Sequence, residues 1–375
     1  MRPIQMVDLK AQYAKIKQAV DLAIHEVLET AAFINGKQVS DFSSNLSKYL
    51  GTEHVIPCAN GTDAIQIALM GLGLEPGDEV ITPSFTFIAT TEVVALLRLK
   101  PVFADVDAKT FCLDPESIEK HITKKTKAII PVHLYGQSAP MKEIMTIAAK
   151  YGLKVIEDNA QAIGSEYYFQ DGRKMKTGTI GNVGTTSFFP SKNLGAYGDG
   201  GALCTSDGSL AEIFKMIANH GQKKRYYHEV VGCNSRLDTI QAAVLNVKLQ
   251  FLDEYISQRR KAADYYDLAF ESHPKIRTPF RSSYSKHVFH QYTIQLEGAD
   301  RNKLNDWLSS KNIPSMIYYP VPAHRQQMFS SFKSELQQLD VTDWLTERVI
   351  SLPMHTELDE EQLSFISKSV LEFLN

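Results

Sequence analysis

Five short apolar segments punctuate the first 160 residues, and helix-like stretches separate most of them. Val55-Ile56-Pro57-Cys58 precedes a helical pattern at about 62–73, and Glu79-Val80-Ile81-Thr82 precedes one at about 86–98. Pro101-Val102-Phe103-Ala104 precedes a helix opening at Asp114-Pro115-Glu116. Ala128-Ile129-Ile130-Pro131-Val132 precedes one at about 140–151, and Lys154-Val155-Ile156-Glu157 follows directly. Strands this short and apolar, joined through helices, form a mostly parallel sheet covered on both faces. The expected fold class is therefore α/β. In such sheets ligands bind outside the carboxyl ends of the strands. Asp158 follows one strand end and Thr62 lies just beyond another, so the pattern puts both on one rim.

Upstream, Leu9, Tyr13, Ile16, Val20, Ile24, Val27 and Leu28 recur at helical spacing and predict an amphipathic helix over 8–30. The pattern changes after about residue 245. One long helical stretch is expected from Leu237 to about Glu271, then a strand at Gln291–Leu296 and helices at about 301–311 and 359–373. The chain thus divides into a large α/β domain over 1–245 and a small C-terminal α+β domain over 246–375. At 375 residues with 43% hydrophobic and 22% charged, it has the balance of a soluble globular protein. A net charge of −3 argues against a nucleic-acid or anionic-membrane binder. Cys58, Cys112, Cys204 and Cys233 lack metal-site spacing and read as free thiols, most of them buried; no metal is expected. The N-terminus lacks the apolar core of a signal peptide and no apolar run reaches membrane-spanning length, which fits a cytoplasmic protein.

Chemistry concentrates in five motifs. Asn60-Gly61-Thr62-Asp63-Ala64 opens a helix, where free N–H groups and the Thr62 hydroxyl suit a phosphate; equally, Asn60 or Thr62 merely caps the helix. Asp158 ends a strand and, with Gln161 three residues on, could hold a pyridine nitrogen and a ring hydroxyl; a capping Asp is the plainer reading. Phe87 could stack on an aromatic ligand or fill the core. Ser187 and Lys192 lie in Thr186-Ser187-Phe188-Phe189-Pro190-Ser191-Lys192-Asn193-Leu194-Gly195. A lysine dehydrated in such a turn favours its neutral amine, which can form an imine with an aldehyde. The glycines at 195, 198, 200 and 201 suggest close backbone approach to a ligand or another chain. Asn234 and Arg236 precede a helix, either as cap residues or as ligands for a phosphate and an anionic substrate group. An amine for an aldehyde, a carboxylate for a pyridine nitrogen and a helix start for a phosphate together describe a site for pyridoxal 5′-phosphate, PLP. The basic run Lys223-Lys224-Arg225 with Tyr226-Tyr227-His228 reads as a solvated loop, and His133 and His220 as core or rim histidines.

These motifs, with Pro83-Ser84-Phe85-Thr86-Phe87, Pro131-Val132-His133-Leu134-Tyr135-Gly136 and Ser351-Leu352-Pro353-Met354-His355, resemble the DegT/DnrJ/StrS nucleotide-sugar aminotransferases over nearly the whole chain. The resemblance implies PLP fold type I, the aspartate-aminotransferase fold, and a homodimer with shared active sites. It implies Lys192 as the cofactor lysine, Asp158 on the pyridine nitrogen, Gln161 on the ring hydroxyl and Phe87 on the ring face. Gly61, Thr62, Asp63 through its N–H, and Ser187 would hold the phosphate, with Asn234 reaching it from the neighbouring subunit. Arg236, Tyr318 and Tyr319 would line the sugar site. Many relatives have His-Tyr-Pro where this chain has Tyr318-Tyr319-Pro320. Cys58-Ala59-Asn60-Gly61-Thr62 and Arg225-Tyr226-Tyr227-His228 are most similar to the WbpE-type enzymes. The implied reaction moves the amino group of L-glutamate to a UDP-linked 2-acetamido-2-deoxy-3-oxo-glucuronate for lipopolysaccharide O-antigen. The alternatives are a dTDP-3-keto-6-deoxyhexose, a 4-keto sugar, or a non-catalytic PLP-binding regulator. Dehydratase relatives carry His where Lys192 stands, which argues against dehydration.

Overall fold

The computed structural model describes residues 1–332 and 338–375. Helix α1 (Leu9–Thr30) starts where the Asp8 carboxylate accepts the Ala11 N–H at 2.9 Å, and α2 (Lys37–Leu50) follows. Strand β1 (His54–Cys58) leads into α3 (Gly61–Gly71), β2 (Glu79–Pro83) into α4 (Ala89–Leu96), and β3 (Lys100–Ala104) into α5 (Pro115–His121). Asp114 caps α5, with Pro115 at the first helical position, where a missing N–H costs nothing. Then come β4 (Thr126–Ile129), α6 (Met141–Tyr151), β5 (Lys154–Asp158), the hairpin β6 (Glu166–Tyr168) and β7 (Lys174–Lys176), β8 (Val183–Ser187) and β9 (Gly201–Thr205).

The central sheet runs β1-β9-β8-β5-β4-β2-β3. Strands β3, β2, β4, β5 and β8 pair in parallel, and β9 is antiparallel to both its neighbours. The expected mostly parallel sheet is present, with helices on its faces. Ala64, Ile67, Ala68, Val93 and Phe214 pack on one side, and Ile118, Met141, Ile144 and Ile147 on the other. Because both faces are covered, the strands read as continuous apolar runs.

After α7 (Gly208–Ala218) an exposed hairpin, β10 (Gln222–Lys224) and β11 (Tyr227–His228), precedes α8 (Thr239–Leu249) and α9 (Leu252–Phe270). The single helix expected from Leu237 to about Glu271 is thus two. At the junction the hydrogen bonds tighten to three-residue spacing (Gln250 N–H to Val247 O, 3.3 Å; Phe251 N–H to Lys248 O, 3.0 Å), and Phe251 leaves helical geometry at φ −102°, ψ 0°. The remaining elements are β12 (Ile276–Arg277), β13 (Ser285–Lys286), β14 (Tyr292–Leu296), α10 (Arg301–Ser310), α11 (Asp340–Thr346), β15 (Val349–Leu352) and α12 (Glu360–Leu374). Strands β12, β14 and β15 form a small sheet. Its core of Tyr266, Phe270, Tyr292, Ile294, Leu304 and Ile366 also takes in Ile4. Helix α9 joins the two regions: Leu252 and Ile256 pack toward the large sheet, Tyr266 and Phe270 toward the small one. Among the described residues no helix is long and apolar enough to cross a membrane. Cys58, Cys112 and Cys204 are buried free thiols and Cys233 is half-buried.

Candidate active site

The carboxyl end of β5 is fixed from below. Glu157 is fully buried, yet its carboxylate accepts four hydrogen bonds, from the Ile180 and Gly181 N–H groups at 2.6 Å each, and from the Gly178 N–H and His133 Nε2 at 2.8 Å each. His133 Nδ1 accepts the Ala139 N–H, so its proton resides on Nε2. His133 is thus a satisfied core histidine. The backbone N–H of His133 donates to the Asp158 carbonyl at 3.0 Å, while the Asp158 backbone N–H donates to Pro131 O at 2.9 Å. This frame presents the Asp158 carboxylate to a cavity of about 370 Å³. Its Oδ1 accepts the Ala160 N–H at 3.1 Å and its Oδ2 accepts the Thr90 hydroxyl at 2.7 Å.

One turn on, Gln161 also faces the cavity. Its Oε1 accepts the Tyr135 N–H at 2.8 Å, and its Nε2 donates to the Tyr319 hydroxyl at 3.0 Å. Burial pushes the Tyr319 phenol far up, so it stays neutral. The segment carrying Tyr318 and Tyr319 is strapped to the end of β2. The Ala323 N–H donates to Ser84 O at 2.9 Å, the His324 N–H donates to Ser84 Oγ at 3.0 Å, and His324 Nδ1 shares a proton with that hydroxyl at 2.7 Å. The Tyr135 hydroxyl donates to Tyr318 O. Phe87 stands at the cavity 56% exposed, its ring 6.4 Å from that of Tyr319.

Opposite lie the turn into α3 and the end of β8. Asn60 Oδ1 accepts the Asp63 N–H at 2.8 Å, so Asn60 is the helix cap and the Asp63 N–H is engaged. Gly61 and Thr62 line the cavity beside Ser187. A Cβ on Gly61 would fall 2.7 Å from Ser187 Cβ, so only glycine lets these two turns approach. Lys192 sits in the turn after β8, its N–H donating to Phe189 O at 2.8 Å. Its side chain is half-buried and opens into the cavity, and among the described residues its amine makes no hydrogen bond or ion pair. Dehydration by the surrounding protein pulls the amine down to about 8, against the opposing pull of Asp158. His290 lines the same cavity and is held neutral by burial, with Lys192 and Arg259 adding to the effect.

The fold therefore brings Gly61, Thr62, Phe87, Asp158, Gln161, Ser187, Lys192, Tyr318 and Tyr319 to one cavity. Asn234 and Arg236 are not there. Asn234 is bridged to Asn219, and Arg236 lines a separate groove with Asn35, Gly36 and Lys215. The hairpin carrying Lys223–His228 is exposed, with Tyr226 and Tyr227 outward. Sequence reasoning missed Thr86, Thr90, His290 and Gln291. The four-residue spacing of Thr86 and Thr90 was the available signal for two of them, since it sets their hydroxyls on one side of a helical turn. A free amine, a carboxylate, a ring-sized space and donors at the N-terminus of α3 fit PLP: each polar end of that molecule meets a group of matching chemistry.

Comparison with known proteins agrees. Residues 14–371 match the DegT/DnrJ/EryC1/StrS aminotransferase family. The chain is 45% identical to the "UDP-2-acetamido-2-deoxy-3-oxo-D-glucuronate aminotransferase" of Pseudomonas aeruginosa, covering 97% of this chain and 98% of that one. It is also 45% identical to a "pleiotropic regulatory protein" of Geobacillus stearothermophilus, covering 99% and 98%. Its fold is similar to a crystal structure of a DegT/DnrJ/EryC1/StrS aminotransferase from Brucella abortus, with a TM-score of 0.94, 40% identity and coverage of 99% and 100%. A Bacillus subtilis protein solved with its cofactor PMP bound is similar at a TM-score of 0.89 and 32% identity, covering 96% of this chain and 82% of that one. The chain belongs to the DegT/DnrJ/EryC1/StrS aminotransferase family, and its cofactor is PLP.

Proposed function

We propose that this aminotransferase moves the amino group of L-glutamate to a nucleotide-linked keto sugar, with UDP-2-acetamido-2-deoxy-3-oxo-D-glucuronate as the acceptor. The observation that carries the reading is the unpartnered Lys192 amine facing the same cavity as Asp158. The sugar assignment is supported by the name of the Pseudomonas aeruginosa relative. In this reading the product feeds bacterial surface polysaccharide, in the cytoplasm.

Bound PLP supplies an electron sink that lets an amino acid lose its α-proton and pass on its nitrogen. The chain's residues do the rest. Lys192 anchors the cofactor through its amine, then as a free amine carries a proton between the donor's α-carbon and the cofactor carbon. Its lowered proton affinity suits both tasks. Asp158 holds the pyridine nitrogen protonated, and Gln161 fixes the ring hydroxyl. Phe87 covers one ring face. Gly61, Thr62 and Ser187 receive the phosphate; Asp63 joins them if its N–H is shared between Asn60 Oδ1 and the phosphate. Tyr318 and Tyr319 border the sugar. Asn234 and Arg236, which do not line this cavity in their own chain, serve the partner's site in a homodimer, Asn234 on its phosphate and Arg236 on the acidic sugar.

The Geobacillus stearothermophilus relative's name supports a second reading, a PLP-binding regulator without turnover. Mixing the holoenzyme with glutamate separates the two. A catalyst releases 2-oxoglutarate and loses the absorption of its lysine-bound cofactor; an inert binder keeps it. Running UDP- and dTDP-amino sugars in reverse with 2-oxoglutarate, read by mass spectrometry, then tests the acceptor. The proposal expects turnover of the UDP-3-amino-glucuronate, and turnover of dTDP sugars alone would overturn it.

A further inference from the structure

We infer that Thr90 is a positioning residue that keeps the Asp158 carboxylate aimed and charged toward the cofactor ring. This rests on the reading that Asp158 faces the pyridine nitrogen.

Thr90 lies in the first turn of α4 and is 1% exposed. A threonine there has a local option, bonding its hydroxyl to a carbonyl one turn back. Its neighbour Thr91 does so, donating to Ile88 O at 3.0 Å. Thr90 instead reaches across to another element and donates to Asp158 Oδ2 at 2.7 Å. A carboxylate only accepts, so the direction is fixed. The Thr90 oxygen is then free to accept, and Thr86 Oγ1 lies 3.1 Å away. The hydroxyls therefore form a directed chain from Thr86 through Thr90 to Asp158, in which each bond polarises the next. The other carboxylate oxygen is held by the Ala160 N–H. With one protein donor on each oxygen, the carboxylate plane is fixed and each oxygen retains a lone pair for a partner in the cavity. A donor on the carboxylate stabilises its negative charge, which leaves the shared proton on the pyridine nitrogen rather than on Asp158. Thr90 itself is 1% exposed, so its hydroxyl has the carboxylate and Thr86 as its polar neighbours rather than bulk solvent.

Thr90→Val keeps the shape and removes the donor; Thr90→Ser keeps the donor and removes a methyl group. The test saturates wild type, Thr90→Val, Thr90→Ser and Asp158→Asn with cofactor labelled with 15N at the ring. It reads the nitrogen's chemical shift by NMR, and cofactor affinity by equilibrium titration. The wild type is expected to show a protonated nitrogen, Thr90→Val a shift toward the unprotonated form with affinity weakened about tenfold or more, and Thr90→Ser values near wild type. Thr90→Ala, which cannot overpack the site, gives the same reading if the valine variant fails to fold. If the wild-type nitrogen is protonated and Asp158→Asn abolishes this while Thr90→Val and Thr90→Ala leave it unchanged, the role of Thr90 is refuted and that of Asp158 stands. If Thr90→Ser behaves as Thr90→Val does, the hydroxyl is not the cause and the inference also fails. If the wild-type nitrogen is unprotonated, the assignment of Asp158 itself is wrong.

Discussion

The dehydrated Lys192 makes a quantitative prediction about how the apoprotein captures its cofactor. Its amine is pulled down to about 8 from 10.5. At pH 7 about one amine in ten is then neutral, against roughly one in three thousand for an ordinary lysine. Only the neutral amine attacks the aldehyde. The rate of PLP capture, followed by stopped-flow absorbance, should rise about tenfold per pH unit below pH 8 and level off above about 9. Asp158 alone among the causes pulls the other way, so Asp158→Asn should move the plateau to lower pH. The same burial has a stability cost. Between about 8 and 10.5 the unfolded chain binds more protons at this site than the folded one, so apoprotein stability from this group rises with pH across that window. Below it, Lys192→Met should stabilise the apoprotein. The full shift corresponds to about 3 kcal/mol, reduced to roughly 1–2 kcal/mol because the amine faces a cavity that water enters. The gain should vanish by pH 10.5. A capture rate that climbs without bending past pH 9.5, or a Lys192→Met gain that is independent of pH, would refute the reasoning.

Three further outcomes follow from the site. Asp158→Ala should retain cofactor poorly and be nearly inactive; near-wild-type rates would remove its role. Gly61→Ala forces a Cβ to within 2.7 Å of Ser187 Cβ; overpacking of about 1–3 kcal/mol should weaken PLP binding, measured by titration, by roughly tenfold or more. Glu157→Leu removes the acceptor of three backbone N–H groups and His133, and should lower the melting temperature through a loss of about 3–5 kcal/mol, with cofactor binding lost as the end of β5 loosens.

Much of the large sheet and most of the candidate site were readable from the chain, because a strand buried on both faces leaves an unbroken apolar run that ends at the ligand rim. Asp158, Gln161, Ser187, Lys192, Thr62 and Phe87 come together from separate strand ends for that reason. Other features depend on contacts remote in sequence. The glycines at 195, 198, 200 and 201 read as approach to a ligand or another chain, yet a Cβ on Gly201, the first residue of β9, would lie 2.3 Å from Asn60 O of the same chain. Strand β9 itself, antiparallel within a parallel sheet, follows no helix and breaks the alternation. The break at Phe251 comes from a tightened turn inside a continuous amphipathic pattern. Thr90 looks like its neighbour Thr91 in sequence, and only the reach of its hydroxyl to Asp158 at the end of β5 distinguishes them.

The central claim is that Lys192 holds the cofactor. Borohydride reduction of the holoenzyme, followed by proteolysis and mass spectrometry, tests it most directly. Lys248 is the natural internal control: it too is dehydrated, to about 7, but it is 1% exposed and lies outside the cavity with Asp158. The account predicts a single reduced pyridoxyl adduct on the peptide carrying Lys192. An adduct on Lys248 or another lysine, or none on a fully folded and coloured protein, would contradict it.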